Sequence, residues 1–142
     1  MAITTAICNS FKAEMLQGQH NFTASTGNAF KIALYTSTAT LGASTTAYSA
    51  TNEISGTGYT AGGTALTNIT PTLSSSTAVV DFNDVSWTTA SFTANGALIY
   101  NTTSSNKAVS AHAFGGDQTV ASGTFSLVFP TADASNAIVR FA

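Results

Sequence analysis

The apolar residues of this chain change their spacing once, and that change most narrows what it can fold into. From Phe30 onward they alternate, with Phe30, Ile32 and Leu34 on one side and Lys31, Ala33 and Tyr35 on the other. A period of two belongs to a strand with one buried face. Similar short runs follow at Thr64–Thr70, Thr77–Phe82, Asp84–Trp87, Ser91–Ala94, Ala97–Asn101, Ala108–Phe114, Thr124–Phe129 and Ala137–Phe141. Asn95-Gly96 reads as a two-residue hairpin turn, and Gly115-Gly116-Asp117 and Ser122-Gly123 as further turns. Pro71 and Pro130 stand at strand ends, where a missing N–H is tolerated. Short strands at turn-marked spacing predict an antiparallel architecture rather than a parallel α/β sheet. The expected fold is mainly β, a jelly-roll-like antiparallel β-sandwich from 30 to 141.

Before Phe30 the pattern differs. Ile7, Phe11 and Met15 recur every four positions, which predicts one N-terminal α-helix over about 4–17. Thr4 or Thr5 suits its N-cap, and Gly18 the position just past its end. The helix stripe packs across one sheet or reaches a neighbour. Residues 36–63 are Ser, Thr, Ala and Gly with only Leu41, Tyr48, Ile54 and Tyr59 as apolar anchors. Without periodicity, that stretch reads as a long loop in which assembly contacts concentrate. The candidate interface residues are therefore Ile7, Phe11, Met15, Leu41, Tyr48, Ile54 and Tyr59. No internal repeat or linker divides the chain, so residues 1–142 read as a single domain.

Composition removes several functional classes. Only 7% of the 142 residues are charged, while 17 Ser and 25 Thr make up about 30%. Lys12, Lys31, Lys107 and Arg140 are scattered, so no nucleic-acid patch is expected. Cys8 has no second cysteine to bond. No apolar run approaches the roughly 18 residues of a membrane helix. The first residues lack the basic start and continuous apolar stretch of a secretory signal. With 44% hydrophobic residues and nine Phe the chain is not a disordered tract. Thr favours exposed strand faces, and a formal charge of −2 gives little repulsion to keep copies apart.

The residues that could carry chemistry form no constellation. His112 sits mid-strand and reads as structural, and His20 has no ligand at metal spacing. Asp81 and Asp84 flank Asn83; oxygen ligands of that kind could hold calcium, but side-chain hydrogen bonds in a turn are the simpler reading. No Gly-x-Ser-x-Gly elbow occurs, and Gly56-Thr57-Gly58 and Gly62-Gly63 lack the lysine of a phosphate cradle. The triplets at Asn21, Asn68 and Asn101 match the glycosylation signal, as chance allows in so Asn- and Thr-rich a chain. Cys8 reads as a small core residue. Tyr35, Tyr48, Tyr59, Tyr100 and Trp87 could line a sugar-binding face, although Trp87 and Phe92 within strands suit the core. No enzyme, metal or cofactor is expected.

Five runs carry a family resemblance: Asn28 to Tyr35, Gly56 to Gly63, Trp87 to Ala90, Gly96 to Asn101 and Phe129 to Ile138. They resemble a widespread family of small structural proteins of tailed bacteriophages. That likeness implies a virion component on the capsid exterior, above all a capsid cement (decoration) protein. Its partners would be the major capsid protein and itself, as a homodimer or homotrimer, with no nucleic acid and no membrane. The alternative is a tail, neck or fibre component contacting the host surface. The family offers no catalytic motif to carry over.

Overall fold

The alternating segment at Phe30 lies inside the larger of two sheets. In the computed structural model, which describes residues 2–142, strand β2 (Phe30–Tyr35) pairs antiparallel with β6 (Val85–Asn101). The register sets Phe30 opposite Asn101 and Tyr35 opposite Gly96. β6 pairs in turn with β7 (Lys107–Leu127), and the short strands β1 (Ala6–Ile7) and β3 (Thr64–Ala65) complete the order β1-β7-β6-β2-β3. The second sheet is β4-β5-β8, from β4 (Asn68–Ser74), β5 (Thr77–Phe82) and β8 (Val139–Phe141). All named strand pairs are antiparallel. The fold is an antiparallel β-sandwich with one short helix.

Aromatic rings join the layers. Phe30 of β2 lies 5.6 Å from Phe82 of β5 and stacks on Phe22 at 4.5 Å. All three are buried, each a burial that stabilises by about 1.5–3 kcal/mol. A second cluster, Trp87, Phe92 and Phe125, lies where β6 and β7 run on beyond the other strands.

Several expected turns are strand instead. Asn95-Gly96, Gly115-Gly116-Asp117 and Ser122-Gly123 all lie inside β6 or β7, which reach 17 and 21 residues. Irregularities in the ladder absorb them, with shifts between Trp87 and Ala90, Ala90 and Phe92, and Ala94 and Gly96. Thr89 (φ 49°), Gly115 (φ 78°) and Ser122 (φ 48°) take positive φ within the strands, as bulges require. Gly96 is glycine because a Cβ there would meet His112 O at 2.6 Å and Ile3 at 2.7 Å. The hairpin actually turns at Thr102–Asn106, with Ser105 (φ 54°) and Asn106 (φ 59°) left-handed. Pro71 lies within edge strand β4, beside its bulge, rather than at a strand end.

The helix is shorter than its stripe suggests. Helix α1 spans Asn9–Leu16, with Cys8 rather than Thr4 or Thr5 at the N-cap position and no side-chain cap hydrogen bond there. Ile7 belongs to β1, opposite Ser110, because the sheet supplies partners that an isolated first turn would lack. Eight residues cannot hold a helix alone; buried Phe11 and Glu14 anchor this one. Gly18 (φ 71°) ends it as expected.

Residues 36–63 are a strap bonded to the sandwich rather than a free loop. Isolated bridges join Ile3 to Leu41, Tyr35 to Glu53, Ala47 to Lys107 and Thr57 to Ser91. The N–H groups of Tyr48 and Ile54 donate to Asn106 O at 2.9 Å and Leu34 O at 3.0 Å. Main-chain bonds to distant strands impose no side-chain period, which is why the segment reads as featureless.

Candidate functional site

The one carboxylate of the strap gathers the tyrosines. Glu53 Oε2 accepts from the Tyr48 hydroxyl at 2.7 Å; its Oε1 accepts from the Tyr59 hydroxyl at 2.6 Å and Gly62 N–H at 2.7 Å. Tyr59 Oη also accepts from Leu34 N–H at 2.9 Å, and Tyr100 donates to Gly62 O at 2.6 Å. Tyr35 donates to Ser49 O at 2.7 Å, while Tyr48 and Tyr100 stack at 4.6 Å. Burial first, then Glu53, by its hydrogen bonds to Tyr48 and Tyr59 and by its charge at Tyr35 and Tyr100, pushes all four phenols above their ordinary range. Phenols held neutral and donating inward form a clamp between strap and sheet. Their hydroxyls are not presented as a sugar-binding face.

A second polar cluster lies under the helix. Asn101 is fully buried at the end of β6. Its Oδ1 accepts the N–H groups of Thr103 at 3.0 Å and Ser104 at 3.1 Å. That turns Nδ2 toward His20 Nδ1 at 3.0 Å and Asn28 Oδ1 at 2.9 Å. His20 Nδ1 therefore accepts, and Nε2–H donates to Glu14 Oε1 at 3.0 Å. Lys107 Nζ stands 3.4 Å from Glu14 Oε2. Phe11, Phe22 and Phe30 surround the imidazole, which has no exposed side-chain surface, while Glu14 and Lys107 reach the outside of the cluster. Sequence reasoning missed the pairing because Glu14 and Asn101 come from a helix and a strand far apart in the chain.

His112 of β7 lines an apolar cleft between the sheets of about 380 Å³, with Ile32, Phe114, Leu127, Phe129 and Ile138. Its Nε2 lies 2.9 Å from Ser110 Oγ. Burial pulls the imidazole down to about 4. The unfolded chain therefore binds more protons between about pH 6.5 and 4, so stability is full above that window and falls as pH drops through it. The loss attributable to His112 reaches at most about 3 kcal/mol. Urea midpoints at pH 7, 5.5 and 4 should decline for the wild type and decline less for His112→Gln. Equal slopes would remove His112 as the cause.

The remaining candidates are structural. Asp81 Oδ1 accepts from Phe82 N–H, while Asp84 Oδ1 accepts from Phe129 N–H, each at 2.8 Å. Among the described residues no three His, Cys, Asp or Glu gather as a metal site would require. Gly56 and Gly58 lie against β6: a Cβ would come within 2.5 Å of Ser91 O and 2.9 Å of Ala90 Cα, respectively. Backbone approach, not a phosphate, explains that Gly-rich run. Cys8 is buried, and burial followed by the Glu14 charge pushes its thiol up to about 11.

The seven expected interface residues are largely spent inside the chain. Phe11, Leu41 and Ile54 are buried in its core, with Leu41 also lining two surface clefts. Ile7, Met15, Tyr48 and Tyr59 are partly buried and pack against that core. Anchors too widely spaced to collapse on each other collapsed on the sheet instead. What stays open lies elsewhere. Leu73, Ala78 and Phe141 form one row across β4-β5-β8, with Leu73 72% and Phe141 45% exposed. β1 covers the outer edge of β7 only at Ser110 and Ala111. Beyond Ala111 no strand among the described residues pairs with that edge. Among the described residues no helix is long and apolar enough to cross a membrane. No family model matches this chain, and neither a curated protein nor a solved structure does.

Proposed function

We propose that this chain is a non-enzymatic structural protein of a tailed-bacteriophage virion, a capsid cement protein that binds the outside of the major capsid protein shell. The observation that carries the reading is an almost uncharged sandwich that keeps a long strand edge unpaired. Ten of 142 residues are charged, and 42 are Ser or Thr. Such a surface packs against many neighbours without electrostatic cost, and a small oligomer could span several capsid subunits. The resemblance to small phage structural proteins supports the same reading. Exposed aromatics around one acidic or Asn-rich pocket would favour the tail or fibre alternative; here the hydroxyls of Tyr48 and Tyr59 turn inward onto Glu53, and that of Tyr100 onto Gly62 O.

Cement acts by mass action: binding the assembled shell, and not its free subunits, stabilises the shell. Several contacts per oligomer must then fail together for it to detach. Virions lacking this protein should lose their genomes at lower temperature than the wild type while adsorbing normally to host cells. Genome release after stepwise heating and a plaque adsorption assay measure the two. Unchanged heat resistance with lost adsorption would overturn the cement reading and favour a fibre. Because the contacts carry few charges, moderate salt should not strip the protein from particles.

A further inference from the structure

We propose that the open edge of β7 pairs antiparallel with the same edge of a second copy of this chain, across a two-fold axis at Thr119. β7 continues to Leu127, far past its last β1 partner, Ala111. An unpaired edge of this length is a template for another strand unless charge or proline blunts it. Between Gly115 and Leu127 there is no Lys, Arg or Pro, and Asp117 is the only charge.

The second copy, rather than an unrelated strand, is favoured by a symmetry in the edge itself. Gly115 and Gly123 lie equally far from Thr119, as do Gly116 (φ 149°) and Ser122 (φ 48°), both with positive φ. Between them Asp117–Ala121 carries no positive φ. The β6–β7 ladder is regular over Gln118–Val120 and irregular on both sides of it, between Ala113 and Gln118 and between Val120 and Gly123, so Thr119 is the centre of the regular stretch. In a two-fold antiparallel pair Gln118 faces Val120 and Thr119 faces itself, with Asp117 and Ala121 next in line across the axis. The single charge meets a methyl group instead of its own mate, which avoids the penalty for like charges directly opposite. Thr119 already shares a hydroxyl hydrogen bond with Thr93 at 2.8 Å on the exposed face, where a matching threonine extends the row.

Pairing confined to so short a segment buries less than the roughly 1,200–2,000 Å² of a stable complex. The dimer is therefore weak in free solution and gains strength where copies are held side by side. This deepens the virion reading by naming the contact within its oligomer. Because the test uses purified chain alone, its failure leaves that reading standing, and failure of the virion experiment leaves this contact standing.

Cysteine scanning tests the register, with buried Cys8 giving little background in the folded chain. Only residue 119 faces its own copy, at the roughly 4.5–5.5 Å cross-strand Cβ separation from which a disulfide can close. Under mild oxidation at millimolar protein, Thr119→Cys should form covalent dimer several-fold faster than Ala121→Cys. Mixing Asp117→Cys with Ala121→Cys should restore cross-linking between the two variants. Sedimentation should show concentration-dependent dimer for the wild type and its loss in Thr119→Lys, whose circular dichroism checks folding. A wild-type chain monomeric at millimolar concentration overturns the proposal. So does equal cross-linking at 117, 119 and 121, which would leave the edge to a different chain.

Discussion

Replacing Glu53 with alanine is expected to lower the free energy of unfolding by about 3–5 kcal/mol, one of the two largest single-residue effects anticipated in this chain. Its carboxylate accepts three hydrogen bonds, from Tyr48, Tyr59 and Gly62. Removing it leaves three donors to find water in a half-buried site, where each orphaned group costs roughly 1–3 kcal/mol. Partial access to water keeps the total below the simple sum. Glu53→Gln keeps one acceptor oxygen and should lose about half as much. Urea unfolding at pH 7 measures the losses. Hydrogen exchange should find the strap from Thr36 to Gly63 opening well below the global unfolding energy in the alanine variant. The tyrosines should also ionise nearer their ordinary range, since one cause of their upward displacement is gone. A loss under about 1 kcal/mol would mean that main-chain bonds alone hold the strap.

Asn101→Ala is expected to cost about 3–4 kcal/mol, from a residue with no exposed surface. The amide joins three pieces of chain: the turn after β6, the segment at Asn28 and the His20 ring. Truncation removes the acceptor of the Thr103 and Ser104 N–H groups and one of the two donors to Asn28 Oδ1, which keeps Asn21 N–H, and it leaves a void at a fully buried position. It also frees His20 Nδ1, so the hold of His20 on Glu14 loosens and with it the docking of α1. The double variant Glu14→Ala/Asn101→Ala should therefore lose less than the sum of the singles, by about 0.5–3 kcal/mol. Thermal or urea unfolding of the four proteins completes the cycle. Strict additivity would separate the two residues and show that His20 transmits nothing between them.

The strand class was legible in the chain because side-chain alternation is a local property. Phe30, Ile32 and Leu34 announce β2 without reference to any partner, but the single buried face their alternation predicts is not what forms. Ala33 and Tyr35 on the other face are buried too, because β2 lies inside the sheet beneath the strap. The run Thr77–Phe82 has the bounds of β5. Gly18 past the helix was legible for the same reason: its positive φ is a local need. Turn chemistry misled where it met a long ladder. Asn95-Gly96 has the composition of a hairpin, yet Asn95 Nδ2 bonds Asp117 Oδ1 at 2.8 Å across the strands, and Gly96 makes room for Ile3. Both partners lie far off in sequence, so no window around Asn95 contains them.

The same division separates the candidate sites. Sequence alone determined that this is a β-rich chain of few charges, with one cysteine and no catalytic spacing, because those depend only on which residues are present and how they alternate. The tertiary structure decided where the polar side chains meet. It turned Leu41 and Ile54 from expected interface anchors into core, gathered Tyr48 and Tyr59 on Glu53, and bonded Tyr35 and Tyr100 to main-chain carbonyls of the strap. It also left the far edge of β7 open, because β1 stops after two residues. The physical reason is one of range. Alternation and φ preference act over neighbouring residues, whereas hydrogen bonds such as Asn101 to His20 and packing such as Phe30 on Phe82 join distant parts of the chain, and those contacts exist only once the sheets have paired.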